Sequence, residues 1–124
     1  MSIIYPEESF AIIGACFEVY NVVRNGFQEP IYQECLELEF AMRIMPCRPQ
    51  IELPLTYKDR LLTKFLKPDF DCYSKIILEI KAVSRLDDSC RAQVHSYLKL
   101  TKYRLGLLVN FGAHGELEHE RIVF

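Results

Sequence analysis

Three ionisable residues, Asp69, Glu79 and Lys81, lie inside two apolar segments, "LLTKFLKPDFDCY" and "KIILEIKAV", that read as buried strands. An ionised group in a dry sheet costs several kcal/mol unless another group pairs with it. Residues two apart in a strand project to the same face, so Glu79 and Lys81 are expected side by side. The three residues therefore either form a structural salt bridge or hold a ligand that the chain does not supply.

The connection between the two segments decides whether Asp69 joins the other two residues. A turn centred on Ser74 sets residue 69 opposite residue 79. A two-residue loop at residues 74–75 instead pairs residue 69 with residue 80, which puts Glu79 on the other face. A shared site therefore requires a loop with an odd number of residues, or a bulge.

Two carboxylates beside an ammonium group suit a hard cation and a phosphate. Mg²⁺ prefers oxygen ligands, keeps several waters, and typically takes one or two protein carboxylates together with substrate phosphate oxygens. The metal lowers the pKa of the attacking water, and a nearby lysine orients that water and offsets charge on the phosphate. The chemistry so described is hydrolysis of a phosphodiester with Mg²⁺ or Mn²⁺ as the cofactor.

Three motifs carry a resemblance to the PD-(D/E)XK superfamily of restriction-endonuclease-like nucleases. The "PD" at residues 68–69, nine intervening residues and the "EIK" at residues 79–81 resemble the signature of that superfamily. The "GFQEPIY" at residues 26–32 matches the G-x-x-E-x-x-Y motif of one family of small prokaryotic proteins within it, and "QVHSY" at residues 93–97 resembles the Q-x-x-x-Y motif of RecB-type nucleases. The chain is identified as a member of the GxxExxY family.

The resemblance implies a role for each matching residue. It makes Asp69 and Glu79 metal ligands, with Glu29 adding a carboxylate to the metal or its waters. Lys81 becomes the catalytic lysine, and Gln93 and Tyr97, four residues apart on one helix face, line the site from the other side. The implied catalytic residues are Asp69, Glu79, Lys81, Glu29, Gln93 and Tyr97.

Several of these residues have structural alternatives that the sequence leaves open. Glu29 also suits the first turn of a helix, where the helix dipole favours an acid, and Glu34 competes for its role at the metal. Gln93 and Tyr97 could instead join a helix to the sheet by packing. Asp71 is expected to be solvated or to stand behind the ligands, and His95 is expected to be exposed.

Other chemistries have weaker support in the sequence. His114 and His119 would suit zinc, but no cysteine pattern accompanies them. A thiol-dependent hydrolase would need a cysteine beside activating positive charge, a condition that only Cys47 and Cys90 approach. A catalytically silent module that binds nucleic acid or a partner protein is the main alternative to a nuclease.

The elements that position these residues can be read from periodicity. Helices are expected over residues 6–24, from residue 29 to before residue 46, and over residues 87–103, with strands over 51–58, 61–73, 75–83 and 104–111 and a short tail strand over 120–124. This order predicts one α/β domain over residues 1–124, with a mixed sheet flanked by helices in three layers, as in the restriction-endonuclease-like fold. The apolar rows expected on the first two helices are Phe10, Ile13, Phe17 and Tyr20, and Ile31, Cys35, Leu38 and Met42.

Composition limits the partners. The formal charge of −2 and the pI near 5.9 give no global basic field, so nucleic acid, with DNA expected in preference to RNA, must be held by a local patch. Lys67 and Arg85 are the first candidates for that patch, ahead of Lys64, Arg91, Lys99 and Lys102.

The five scattered cysteines favour a reducing, cytoplasmic location, and no apolar run is long enough to span a membrane. A homodimer would cut both strands of a duplex most simply.

Overall fold

The computed structural model describes residues 3–124, which form three helices and seven strands. The helices are α1 (Pro6–Val23), α2 (Glu29–Met42) and α3 (Asp88–Thr101), which confirms the three expected helices. Asp87 caps α3, because its Oδ1 accepts hydrogen bonds from the backbone N–H groups of Ser89 at 3.0 Å and Cys90 at 3.1 Å. None of the helices among these residues is long and apolar enough to cross a membrane.

The strands form two separate sheets. Five strands pair in the order β1-β4-β5-β6-β7, and the remaining two, β2 and β3, form a hairpin of their own. β5 and β6 run parallel and the other neighbours antiparallel, so the main sheet is mixed, as expected. The strand bounds are β1 (Cys47–Pro49), β2 (Leu53–Tyr57), β3 (Arg60–Leu66), β4 (Phe70–Cys72), β5 (Ile76–Lys81), β6 (Leu105–Asn110) and β7 (Glu118–Val123).

The expectation of three strands between the second and third helices is wrong. Residues 61–73 divide into β3 and β4, which belong to different sheets, and β1 was not expected at all. Pro68 lies at the division, where a residue without a backbone N–H cannot continue a ladder. The chain therefore leaves the main sheet after β1, forms the β2–β3 hairpin, and returns to the main sheet just after Asp69.

The main sheet separates two apolar cores. One core packs α1 and α2 against one face of the sheet, and the other packs α3 against the opposite face. The apolar rows expected on α1 and α2 are wrong except at their partly or fully buried members Ile13, Tyr20 and Cys35, because Phe10 is 82% exposed and Met42 is 71% exposed. Both helices carry apolar residues on more than one side, so several rows fit the helical period, and packing selects among them. The buried apolar residues of these two helices are Ile12, Ala15, Cys16, Val19, Tyr20, Tyr32, Leu36 and Phe40.

The turn between β4 and β5 has three residues, 73 to 75. The flanking pairs are Phe70 with Leu78 and Cys72 with Ile76, and extending this register sets residue 69 opposite residue 79. Tyr73 and Ser74 both adopt left-handed backbone conformations, with φ of 57° and 55°. The loop is therefore the odd-numbered one that a shared site requires.

Candidate active site

Two hydrogen bonds between neighbouring chain segments hold the side chains of Asp69 and Glu79. The backbone N–H of Asp69 donates to Glu79 Oε1 at 3.1 Å, and the backbone N–H of Ile80 donates to Asp69 Oδ2 at 2.8 Å. The residues are only 9% and 3% exposed, respectively. The sheet thus brings two buried carboxylates together, on the face that packs against α3.

Lys81 is held by a chain of hydrogen bonds that starts on α3. Its Nζ donates to Gln93 Oε1 at 2.5 Å, and Gln93 Nε2 donates in turn to the hydroxyl of buried Tyr97 at 3.0 Å. The Lys81 ammonium lies farther, 3.7 Å, from Glu79 Oε2. The lysine is therefore fixed mainly by the amide of Gln93 rather than by a tight ion pair with Glu79.

The pKa values of the two carboxyl groups reflect this crowding. Burial, followed by the charge of Asp69, raises the pKa of Glu79 to about 8. Burial also raises the pKa of Asp69, although the N–H of Ile80 and the charge of Lys81 act in the opposite direction. Two carboxylates in contact in a poorly solvated place cannot both ionise freely, so the pair favours keeping a proton unless a cation is bound.

The "GFQEPIY" motif builds the loop that leads into α2. Gly26 has a φ of +117°, which favours glycine, and the Tyr32 hydroxyl accepts from the N–H of Phe27 at 3.2 Å while donating to the carbonyl of Arg24 at 2.6 Å. The Tyr32 ring stacks on Phe111, with 4.6 Å between the ring centroids. The glycine and the tyrosine of the motif therefore fix the chain on either side of Glu29.

Glu29 lies at the edge of the carboxylate pair. Its pKa is raised by burial and then by the charge of Asp69, and Lys81 lowers it. No side chain caps α2, whose N-cap residue is Gln28, so Glu29 is not the capping residue. It lines a cavity of about 560 Å³ beside Asp69, with Pro30, Gln33, Glu34, Glu37 and Gln50.

Two residues near Asp69 were missed by sequence reasoning. Gln33 is 7% exposed, and its Nε2 lies 3.4 Å from the Asp69 carbonyl and 3.1 Å from Glu37 Oε2, to both of which it donates. The backbone N–H of Gln50 donates to the same Asp69 carbonyl at 2.9 Å. Gln33 is four residues after Glu29, a helical spacing that could have indicated it, whereas the position of Gln50 depends on the sheet.

The remaining candidates lie outside this cluster. Asp71 is 1% exposed, which corrects the expectation that it is solvated, and its Oδ2 accepts hydrogen bonds from Arg48 at 2.7 Å and from the Tyr103 hydroxyl at 3.0 Å. His95 is exposed, as expected, and so are His114 and His119.

The carboxylates of this cluster are the side chains that could bind a divalent cation. Within residues 3–124, no group of three or more His, Cys, Asp or Glu side chains is arranged to hold a metal ion, so Glu29 does not complete a ligand set with Asp69 and Glu79. The two carboxylates in contact nevertheless fit Mg²⁺ or Mn²⁺, because such ions bind through one or two carboxylates and retain water. Asp69 and Glu79 would hold the ion.

A comparison with protein families bears directly on this arrangement. The family model described as the PD-(D/E)XK nuclease superfamily matches residues 6–122. The chain belongs to the PD-(D/E)XK nuclease superfamily. Nucleases of this superfamily act on nucleic acid and typically use a divalent metal. The narrower GxxExxY assignment stays a prediction.

Solved structures support the fold. The chain is similar to the structure titled "Crystal structure of SSO0001", with a TM-score of 0.62 and 18% sequence identity. The match covers 76% of this chain and 49% of that chain, so this chain spans about half the length of its structural relative. At this identity the similarity concerns the fold alone, an α/β fold consistent with the restriction-endonuclease-like architecture that was expected. No curated protein matches the sequence.

Proposed function

We infer that the protein is a Mg²⁺- or Mn²⁺-dependent nuclease that hydrolyses phosphodiester bonds, with DNA as its substrate rather than RNA. One observation carries this proposal within the superfamily: Asp69 and Glu79 contact each other while a lysine, fixed from a different element, lies beside them. A salt bridge between Lys81 and Glu79 does not explain the buried Asp69, which forms no salt bridge among residues 3–124.

In the proposed mechanism the protein side chains have separate roles. A bound divalent cation would supply a water of lowered pKa and neutralise charge on the phosphate. Asp69 and Glu79 would hold that ion, and Lys81, whose side chain is 18% exposed, would contact the scissile phosphate and orient the water. Gln93 positions Lys81, and Tyr97 positions Gln93.

Glu29 takes a supporting role in this proposal. It lines the cavity beside Asp69, where its carboxylate can accept hydrogen bonds from waters around the ion. Its raised pKa fits a carboxyl group near another carboxylate and a single lysine. Glu34, which lines the same cavity, would share this role in binding hydrated cations.

The proposal extends to the domain organisation, family, location and oligomeric state of the protein. We propose a single nuclease-like domain over residues 1–124, of which Met1 and Ser2 lie outside the described residues, and membership of the prokaryotic GxxExxY family. The five free cysteines, Cys16, Cys35, Cys47, Cys72 and Cys90, support a reducing cytoplasm. A homodimer is supported by the exposed apolar residues Val22, Leu38 and Met42, which line one groove between α1 and α2.

A nuclease assay tests the proposal. The protein is incubated with single-stranded, duplex and branched DNA and with RNA, in Mg²⁺, in Mn²⁺ and in EDTA. The expected result is cleavage of DNA that requires the metal and is lost in Lys81→Ala. Cleavage that persists in EDTA, or that is equal in Lys81→Ala, would contradict the proposed site.

A module that binds nucleic acid or a protein without cutting is the second candidate. The two candidates differ in their response to metal, because only a metal-dependent site gains stability from millimolar Mg²⁺ or Mn²⁺ and loses that gain in Asp69→Ala.

A further inference from the structure

A cleft of about 390 Å³ lies between the β2–β3 hairpin and α3, outside the carboxylate cluster. The hairpin contributes Leu55 and Leu66. The other lining residues belong to α3 and its C-cap: Ser96, Lys99, Leu100 and Lys102. Leucines from both sides thus give an apolar lining, while two lysines stand on the helix side. Lys99 and Lys102 are exposed, and no acidic side chain among residues 3–124 pairs with either of them.

The charge around this cleft is opposite in sign to that of the whole chain. Residues 99–104 contain Lys99, Lys102 and Arg104 and no acid, although the protein has a formal charge of −2. The hairpin carries three cations, Lys58, Arg60 and Lys64, and one acid, Asp59, within residues 53–66. The dipole at the end of α3 explains a lysine in its last turn, but it does not explain the open apolar lining beside that lysine.

The β2–β3 hairpin also presents an aromatic ring, on the strand that contributes Leu55 to the cleft lining. Tyr57 pairs directly with Arg60, so these two side chains share one face of the hairpin, beyond a register shift between Pro54 and Thr56. Tyr57 is 63% exposed. An exposed ring beside a cation can stack on an unpaired base, which is how single-stranded nucleic acid is commonly held.

Both walls of the cleft continue directly into the proposed active site. On the hairpin side, Leu66 is followed after two residues by Asp69. On the helix side, Ser96 and Leu100 follow Gln93 at helical spacing, and the Ser96 hydroxyl donates to the Gln93 carbonyl at 2.7 Å. A chain lying in the cleft would therefore lead along α3 toward Lys81 and the carboxylate pair.

We propose that the cleft between the β2–β3 hairpin and α3 binds a single-stranded segment of the nucleic-acid substrate, with Lys99 and Lys102 contacting phosphates and the leucines and Tyr57 contacting bases. This inference rests on the proposed nuclease function and names where the substrate strand lies. Unpaired bases suit the cleft because a duplex hides the faces of its bases, whereas the apolar lining and the exposed ring require them to be free.

Binding in EDTA tests this surface without requiring cleavage. Fluorescence anisotropy measures the affinity of a labelled single-stranded DNA for the wild-type protein and for Lys99→Gln/Lys102→Gln over a range of salt concentrations. Since each phosphate contact on a single strand contributes about 0.7 to the slope of log K against log salt, the double variant should lower that slope by about 1.4. Its affinity should fall on the order of tenfold near 0.1 M salt.

The matched control is Arg43→Gln/Lys75→Gln, which removes the same charge on the side of the sheet that carries α1 and α2. These two residues form surface ion pairs with Glu39 and Glu8, and each such pair is worth at most about 1 kcal/mol. The control should bind like the wild type. Equal loss of affinity in both double variants, or no loss in either, would overturn the proposal.

Two further measurements separate this proposal from its alternatives. Tighter binding of a blunt duplex than of the single strand, or competition by polyglutamate at equal charge, would overturn it, because the cleft would then not select unpaired bases or nucleic acid. Cleavage in Mg²⁺ is measured separately. Loss of binding in Lys99→Gln/Lys102→Gln without any nuclease activity in the wild type would contradict the proposed function while supporting the binding surface.

Discussion

The backbone of Asp69 donates a hydrogen bond to the carboxyl group of Glu79 at 3.1 Å, although the two residues are acids that both lie in the interior. The contact orients Glu79 and leaves its second oxygen, Oε2, 3.7 Å from the Lys81 ammonium. Such an arrangement stabilises a proton or a cation between the carboxyl groups more than it stabilises the fold. Measurements of stability and of metal binding distinguish a role in the fold from a role in holding a cation.

Replacing Glu79 with Gln should leave the metal-free stability unchanged or increase it, because the substitution removes repulsion between two buried carboxylates. It should also abolish metal binding and cleavage. If Glu79 and Lys81 form a structural salt bridge, the substitution should instead lower the free energy of unfolding by on the order of 3 kcal/mol, because Lys81 would lose its partner. Chemical denaturation in EDTA measures the difference.

Asp71 offers a control on the same face of the sheet. Its carboxylate accepts from Arg48 and from Tyr103, so Asp71→Asn should lose charge-assisted hydrogen bonds and cost about 1–3 kcal/mol in the same denaturation experiment. If Glu79→Gln is destabilised as much as Asp71→Asn, Glu79 holds the fold rather than a metal.

The stability of the metal-free protein should fall as the pH rises from about 4.5 toward 8. The pKa of Glu79 is raised to about 8 in the folded state, from an ordinary value of 4.5, so the folded protein binds more protons than the unfolded chain across this interval. The free energy of unfolding decreases with pH wherever the folded state binds more protons. Urea denaturation in EDTA at several pH values measures this slope, which should be flatter in Glu79→Gln. A slope that is the same in both proteins would contradict the raised pKa.

Divalent metal should stabilise the folded protein by mass action. A site filled at a metal concentration of one hundred times its Kd adds about 2.7 kcal/mol to the free energy of unfolding. Thermal denaturation with increasing Mg²⁺ or Mn²⁺ measures this gain, which should disappear in Asp69→Ala. His95→Ala serves as the control, because His95 is exposed and should leave the metal response unchanged.

Gln93 should act on the rate of cleavage rather than on substrate binding. Without the Gln93 amide, Lys81 loses its hydrogen-bond partner at 2.5 Å, and misplacement of a catalytic group by about 1 Å can cost on the order of a hundredfold in rate. Gln93→Ala should therefore lower kcat with little change in KM. Tyr97→Phe removes only the hydroxyl that holds Gln93, so a smaller effect in the same direction is expected. An effect of Gln93→Ala on KM alone would assign it to substrate contact instead.

Tyr32→Phe tests the loop that leads into Glu29. The substitution keeps the ring stacked on Phe111 but removes the hydroxyl that joins Arg24 and Phe27. Each hydrogen bond of this kind contributes about 0.5–1.5 kcal/mol, so a loss of about 1–3 kcal/mol in the free energy of unfolding is expected. Wild-type stability in Tyr32→Phe would mean that the motif has no structural role in this loop.

Local patterns predicted the helices because the causes are local, and they reduced the strand register to two alternatives that the length of one loop decides. Asp87 caps α3 through its own neighbours, and the parity of the turn at Ser74 sets residue 69 opposite residue 79 whatever the rest of the chain does. The buried faces of α1 and α2 depend instead on which row meets the sheet. Phe10 and Met42 fitted a helical row equally well but are exposed, while the smaller Ala15 and Cys16 pack inside.

The parts of the site that were missed depend on contacts between distant segments. Gln50 reaches the Asp69 carbonyl because β1 pairs with β4, a pairing between strands that the hairpin separates in sequence. The hairpin itself was read as part of the main sheet, since the apolar alternation of Leu53 and Leu55 is the same for a strand in either sheet. Sequence spacing predicted which motif residues lie close together more readily than it predicted the topology around them.

The three-residue turn at Tyr73–Lys75 lies at the far end of β4 and β5 from Asp69 and Glu79. Its length nevertheless determines the relative placement of the two acids, because one residue more or fewer would change the register by one position and reverse one strand's faces. The length of this turn is therefore constrained by the site, independently of the contacts that its own side chains make. Insertion of one glycine after Ser74 would separate the carboxylates without touching either of them, and for the proposed nuclease the length of a remote loop becomes a condition for metal binding.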